Sequence, residues 1–293
     1  MTPPPPTGLL LDPALLVLRR PDDTVQLGWG PDTGAVLVPP AGLDAFDVCA
    51  LLRMLDGRMD RDRILDEAGR RGLDPTAVAT VVDGLVDAGM VRTSDLTGGD
   101  PLEPVTAPRL RVYGLGPLTE ALCDQLSRTH ADWSRAARYT DDAELRGGLG
   151  CVILADHQVP DPRLVRDLMA HDITHLTVRV RDGRGLVGPL VAPGRTSCLR
   201  CADLARTDAD PAWPRLAAQL WRRIGHADRA TTQVTAALAL RQLDPILGGG
   251  RTSTPTAVDG TVEVDLRTYH FETRRWRPHP DCSCRTSRSG VQA

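Results

Sequence analysis

The chain contains no lysine and no asparagine, so all thirty-five Lys+Arg positions are arginine. A mechanism that requires a lysine amine or an asparagine carboxamide cannot run on this chain alone. Charge of one sign is also lacking. A formal net charge of -3 gives no electrostatic case for nucleic acid or an acidic lipid surface as the main partner. No run approaches eighteen apolar residues, and no membrane span is expected. The N-terminus shows no basic segment followed by an apolar run and a small-residue cleavage site. A cytoplasmic location is therefore expected, and disulfides are not. No internal repeat is present. At 293 residues the chain is long enough for two domains, each burying its own core.

Against these absences stand two cysteine pairs far apart in the chain, Cys198-Leu-Arg-Cys201 and Cys282-Ser-Cys284. Each is short enough for both thiolates to reach one ion, and four such ligands close a tetrahedral structural zinc site with no open position for substrate. The alternatives are unrelated thiol pairs, a disulfide, or His279 replacing one sulfur. Zinc in this arrangement holds a fold together and is not evidence of catalysis. Cys49, Cys123 and Cys151 lie in apolar contexts and read as small core residues.

Residues 1–8 are a Pro-rich lead with nothing to pack, expected to be disordered. Three short apolar runs follow, Ala14–Leu18, Thr24–Trp29 and Ala35–Val38, separated by turn-formers. They predict an antiparallel meander. The period then lengthens. Leu43, Phe46, Val48, Leu51, Leu52 and Leu55 predict a first amphipathic helix, stopped by Gly57. A second spans Arg61–Arg70, with Ile64, Leu65 and Ala68 inward. Asp74 caps a third, with Pro75 at its first position and Val78, Val81, Val82, Leu85 and Val86 as its apolar face. Met90-Val91 suggest a short closing strand. Strands followed by three helices predict an α+β winged helix-turn-helix over 9–93. Its common use is DNA binding, but the exposed side of the third helix carries Thr80, Asp83 and Asp87 and no arginine, which would repel a phosphate backbone.

A Pro/Gly-rich linker over 94–108 leads to a second domain over 109–285, and 286–293 read as a mobile tail. Strand Leu110–Tyr113, the turn Gly114-Leu115-Gly116-Pro117-Leu118-Thr119 and a helix to about Ser127 open a nucleotide-binding-type unit. Thr119 replaces the third glycine, a change that helix–strand packing tolerates better than phosphate binding does. Strands near Ala136–Tyr139, at Cys151–Leu154 ending on Asp156, and at His175–Val180 alternate with a helix over Asp161–Ala170. The expectation is a Rossmann-like α/β domain, a parallel sheet with helices on both faces. Gly188–Val191, helices near Trp213–Ile224 and Ala227–Leu247, and strand-like runs Thr261–Leu266 and Thr268–Phe271 complete it.

Gly-x-Gly after a first strand, an aspartate ending a later strand, Pro193-Gly194-Arg195-Thr196-Ser197-Cys198-x-x-Cys201, a helical insert and a terminal cysteine pair resemble the ThiF/MoeB-like, ubiquitin-activating-type superfamily. The resemblance implies a homodimer that adenylates the C-terminal carboxylate of a small protein, with Gly114, Gly116 and Asp156 at its nucleotide site. Trp213, Leu220 and Trp221 are candidate dimer contacts. The sequence departs from active members where they carry an Asn-Leu-Asn-Arg-like segment and a lysine; here the region reads Tyr139-Thr140-Asp141-Asp142-Ala143-Glu144-Leu145-Arg146. Asp156 takes the position of the family's Mg²⁺-linked aspartate, but its usual Asn neighbour is His157. Phosphoryl chemistry depends on positioned cations and donors, so the site reads as vestigial and ATP is not expected.

A winged helix joined to a ThiF-like domain further resembles the leader-peptide-binding partner proteins of thiazole/oxazole-modified peptide (RiPP) biosynthesis, as does the helical segment 201–220. That resemblance implies a precursor leader held as an added strand along Ala35, Val36, Leu37 and Val38, against Thr76, Thr80, Asp83 and Asp87 of the third helix. It also implies that a separate YcaO-type cyclodehydratase forms the rings. The expectation is a non-catalytic scaffold. The rivals are an adenylating enzyme using Gly114, Gly116, Asp156 and arginines, and a DNA-binding regulator.

Overall fold

The computed structural model describes residues 7–30, 34–95, 109–129, 131–247 and 254–284. The chain divides into two compact units, Met1–Val105 and Thr106–Ala293.

The first unit runs β1 (Thr7–Leu11), β2 (Val17–Arg19), β3 (Val25–Leu27), β4 (Ala35–Leu37), α1 (Ala45–Met54), α2 (Arg61–Arg70), α3 (Pro75–Asp87) and β5 (Val91–Asp95). The meander is an antiparallel sheet in the order β2-β3-β4. Each helix starts where an aspartate satisfies its free N–H groups: Asp44 in a capping box with Asp47, Asp60 on α2, and Asp74 ahead of Pro75 on α3. Val25 and Leu27 from β3, Val48 and Leu51 from α1, Ile64 from α2 and Val82 from α3 meet in a core closed to solvent.

Three details depart from the sequence reading. Thr7 and Gly8 belong to β1, which pairs antiparallel with β5, so part of the expected disordered lead is strand. Its partner lies some eighty residues away, and no local pattern reports such a pairing; residues 1–6 of that lead lie outside the described set. Phe46 is 64% exposed and lies under the Arg19 guanidinium at 3.9 Å, and Val86 is 41% exposed. Both sit at the margins of their apolar stripes, where helical period alone does not distinguish buried from exposed.

The second unit runs β6 (Arg109–Tyr113), α4 (Pro117–Leu126), β7 (Trp133–Ala136), a 3₁₀ turn (Asp142–Leu145), β8 (Leu149–Ala155), α5 (Pro162–Ala170), β9 (His175–Arg181) and β10 (Arg184–Val191). It continues with α6 (Leu199–Ala209), α7 (Trp213–Leu220), α8 (Arg229–Leu243), β11 (Gly260–Asp265) and β12 (His270–Arg275). These strands form one sheet in the order β12-β11-β10-β9-β8-β6-β7. β7, β6, β8 and β9 are parallel; β9 to β12 are antiparallel. Leu110, Val112, Ile153, Leu176 and Val178 face α4 and α8, while Val152 and Leu154 face Leu164 and Leu168 of α5.

The expected parallel sheet is therefore only half of the whole. Asp182 and Gly183, both at positive φ, turn β9 straight back into β10, so no crossover helix intervenes. β7 lies three residues before the predicted Ala136–Tyr139. α7 stops at Leu220 because Trp221 and Ile224 make bridges to Val159 and His157 instead of continuing the helix.

Leu51 and Leu122 are both fully buried, one in each unit's core. Leu51→Ala and Leu122→Ala should each destabilise their own unit by about 2–5 kcal/mol, measured by urea unfolding. A cost well under 1 kcal/mol at either position would mean that the core is wrongly placed.

Candidate functional site

β6 lies between β7 and β8, so the chain turns to opposite sides after successive strands. The crevice at their carboxyl ends is where open α/β sheets hold ligands. α4 starts there, directly after Gly114-Leu115-Gly116, and Gly116 supplies no side-chain cap. The free N–H groups of such a helix end attract an anion. In this protein the anion is part of the chain. The Asp156 carboxylate accepts hydrogen bonds from the Leu118 N–H (3.1 Å), the Thr119 N–H (3.1 Å) and the Thr119 hydroxyl. Asp156 is 3% exposed and follows β8 at a φ of 66°.

This pairing accounts for the motif around it. A Cβ on Gly116 would lie 2.8 Å from Asp156 Oδ1, and one on Gly114 would lie 3.0 Å from the Ala155 carbonyl oxygen. Close packing within the fold thus requires both glycines, and Thr119, in place of the third, supplies a donor to the carboxylate. Gly114, Gly116 and Asp156 are brought together as the sequence suggested, and the Leu118 and Thr119 N–H groups are engaged by Asp156.

A cleft of about 230 Å³ lies beside it, with Tyr113, Arg138, Tyr139, His157, Trp221 and Arg222 in its lining. Glu144, in the segment that lacks the family's Asn residues, accepts from Arg111 (2.9 Å) and Tyr113 (2.7 Å). Burial, reinforced by the Glu144 contact, pushes the Tyr113 phenol well above its ordinary range. Burial also lowers the His157 imidazole, so this neighbour of Asp156 is neutral near pH 7.

The cysteines converge at the start of α6. Sγ atoms of Cys198, Cys201, Cys282 and Cys284 all lie within 4.8 Å of one another, and three of the separations are 3.7, 3.6 and 3.5 Å. A tetrahedral thiolate site with metal–sulfur bonds of about 2.3 Å has sulfur–sulfur edges of about 3.8 Å. A disulfide needs about 2.05 Å. The donor set therefore fits a metal ion and not a cystine. Burial pushes the Cys198 thiol up; at Cys201 burial is outweighed by backbone hydrogen bonds from His279 and Cys198, which bring it down to about 7. His279, the alternative ligand, is otherwise engaged: its Nε2 meets Asp208 at 2.8 Å, and its Nδ1 accepts from the Asp281 N–H.

In the first unit, the bonds Arg20 N–H to Thr24 and Gly28 N–H to Leu16 set the parity of the meander. Antiparallel alternation then turns the Gln26 backbone toward β2, and those of Val25 and Leu27 toward β4. Ala35 and Leu37 accordingly bond to β3. The Val36 N–H and C=O point to the opposite edge, where no strand pairs with β4 among the described residues. Val36 and Val38 are 51% and 72% exposed. On α3, Thr76, Thr80, Asp83 and Asp87 are exposed, but Asp83 accepts a bidentate pair from Arg61 at 2.8 and 2.7 Å, and the Thr80 hydroxyl donates to the Thr76 carbonyl. No hydrogen bond joins α3 to β4 among the described residues.

No protein-family model matches the chain, and no curated protein matches its sequence. Solved structures do match. The heterocyclase TruD superposes with a TM-score of 0.59 at 16% identity, over 95% of this chain and 43% of its own. A heterocyclase in complex with substrate and cofactor gives 0.63 at 16% identity, over 95% and 39%. Escherichia coli MccB with ATP gives 0.61 at 11% identity, over 94% and 99%; MccB, a microcin C7 biosynthetic enzyme, is also known in complex with N-formylated MccA. The chain has the fold of these proteins. It spans less than half the length of the heterocyclase chains and nearly all of MccB. The likeness agrees with the Rossmann-like α/β domain expected from the sequence.

Removing the Asp156 carboxylate should orphan the two N–H groups at the start of α4. Asp156→Ala should therefore cost at least about 1–3 kcal/mol in chemical denaturation, and Gly116→Ala should also destabilise, because the added carbon meets that carboxylate. Unchanged stability in Asp156→Ala would refute the internal-anion assignment.

Proposed function

We propose that this protein is a leader-peptide-binding scaffold that presents a ribosomal precursor peptide to a separate YcaO-type cyclodehydratase and does not itself adenylate. The observation that carries the reading is the open β4 edge. Val36 offers an outward donor and acceptor, flanked by the exposed Val38 side chain. An extended leader can add there as a further strand, with backbone bonds supplying affinity and side-chain contacts selectivity. The first unit is read as a winged helix, with Thr76, Thr80 and Asp87 on the exposed side of α3; Asp83 is committed to Arg61. That arginine-free side of α3 speaks against DNA as the ligand. The filled anion site at α4 speaks against phosphoryl chemistry, and the likeness to heterocyclases and to a peptide-bound MccB agrees with a peptide partner.

Structural zinc bound by Cys198, Cys201, Cys282 and Cys284 would fasten the chain after β12 to the start of α6. A homodimer through the second unit is the further expectation. Leu216 and Trp221 are 44% and 46% exposed there, while the Trp213 indole is bonded to Asp203.

Binding of a leader peptide encoded beside this gene tests the scaffold reading. Val36→Pro should keep the fold and weaken binding roughly tenfold or more, because it deletes an outward donor. Leu37→Pro should damage the meander itself, since that N–H faces β3. Undiminished binding by folded Val36→Pro, or ATP–pyrophosphate exchange by the unmodified protein, would overturn the proposal.

Metal analysis of purified protein should find about one zinc per chain. Cys198→Ser and Cys282→Ser should lose it together with stability in the second unit. Full metal retention in both variants would refute the site.

A further inference from the structure

β12 closes one end of the seven-stranded sheet, and β11 is its one strand neighbour among the described residues. Its six residues, His270–Arg275, pair with Gly260–Asp265 in an unbroken register, and all six are exposed. The Trp276 N–H donates to the Asp259 carbonyl at 2.8 Å and so fixes the parity of the ladder. By antiparallel alternation, the backbones of Arg274, Glu272 and His270 turn toward β11. Those of Phe271, Thr273 and Arg275 turn outward, and their N–H and C=O groups line an open edge. Exposed edges are commonly guarded by a proline, a bulge or an inward-pointing charge. β12 contains no proline and no bulge.

The side chains decide which strand suits this edge. Glu272 and Arg274 share one face of β12, and neither forms an ion pair among the described residues. The Glu263 carboxylate opposite Glu272 is held by Arg181 and Arg184, both at 3.0 Å. The Arg274 guanidinium lies 5.8 Å from the centre of the Trp276 ring. A second β12 laid antiparallel must set outward residue opposite outward residue, so a two-fold axis passes through a residue and not between two. With the axis at Thr273, Glu272 stands opposite Arg274 of the second copy, and the same pair recurs across the axis. With the axis at Glu272 or Arg274 like charges meet, which destabilises; at Phe271 or Arg275 the overlap shortens. The Thr273 register also sets Phe271, which is 54% exposed, opposite the aliphatic stem of Arg275.

We propose that β12 is a self-association edge: two copies pair antiparallel about Thr273, join their sheets into one and make the Glu272–Arg274 pair twice. The occupant is a second copy of this chain because the edge is complementary in charge to itself. The proposal rests on the dimer expected above, which it assigns to β12 and not to α7. It does not depend on leader binding at β4.

Sedimentation velocity on the full chain, from about 1 to 100 μM, should show a reversible dimer. Thr273→Pro deletes an outward donor and keeps the bonds to β11, so it should fold and weaken the dimer roughly tenfold or more. Glu272→Arg and Arg274→Glu should each weaken it several-fold. Combined in one chain they should restore it, because each pair is then reversed but intact. That recovery separates strand pairing from damage to the fold, even if the proline variant does not fold. Trp221→Ser should leave the dimer unchanged. A monomer at every concentration overturns the proposal together with the dimer expectation. A dimer indifferent to the β12 variants, one lost in Trp221→Ser alone, or no recovery in the double reversal overturns the β12 assignment and leaves the dimer standing.

Discussion

The second unit depends on a buried carboxylate placed against a helix end. Asp156 must satisfy its charge away from solvent, and α4 must satisfy N–H groups that have no partner within the helix. Each meets the other's requirement. Gly116 has no side chain because the carboxylate lies against its Cα, Gly114 has none because Ala155 does, and Thr119 carries a hydroxyl because the carboxylate can accept it. A motif that elsewhere cradles phosphate is here an internal brace. The helix macrodipole that would favour a bound anion favours Asp156 instead.

The crevice at the switch point is present, and aromatic and arginine side chains line it. Carboxylates around it are paired: Glu144 with Arg111 and Tyr113, Asp167 with Tyr139, Asp161 with Arg163. In the first unit no strand pairs with the outer edge of β4 among the described residues, a surface suited to holding an extended chain.

The cysteine cluster acts at the level of the fold. Cys198 and Cys201 share one turn of α6, and Cys282 and Cys284 return after α7, α8, β11 and β12. The four sulfurs, at metal-site separations, bring the chain beyond β12 against the start of α6. The Arg206 guanidinium of α6 lies over the ring of Trp276, which follows β12, at 4.7 Å.

Local chemistry was enough to read much of this from the residues. Asp74-Pro75 marks a helix start because the cap and the fixed φ act within one turn, and α2 follows the predicted Arg61–Arg70 span. The four cysteines could be grouped because a close-spaced pair already halves the search for a site. Other features depended on partners distant in the chain. β1 is a strand only because β5 lies beside it, and β10 runs antiparallel because two residues reverse the backbone at 182–183. Phe46 and Val86 are exposed because side-chain period gives a direction and not a neighbour. The outward parity of Val36 follows from the ladder between β2 and β3, and the pairing of Asp83 from Arg61 on the adjacent helix. Sequence alone determined the limits of α2 and α3 and the two close-spaced cysteine pairs, since these arise from contacts within a few residues. Only the tertiary structure decided that the Asp156 carboxylate meets the start of α4, because burial and hydrogen-bond partners are properties of what the rest of the chain brings alongside.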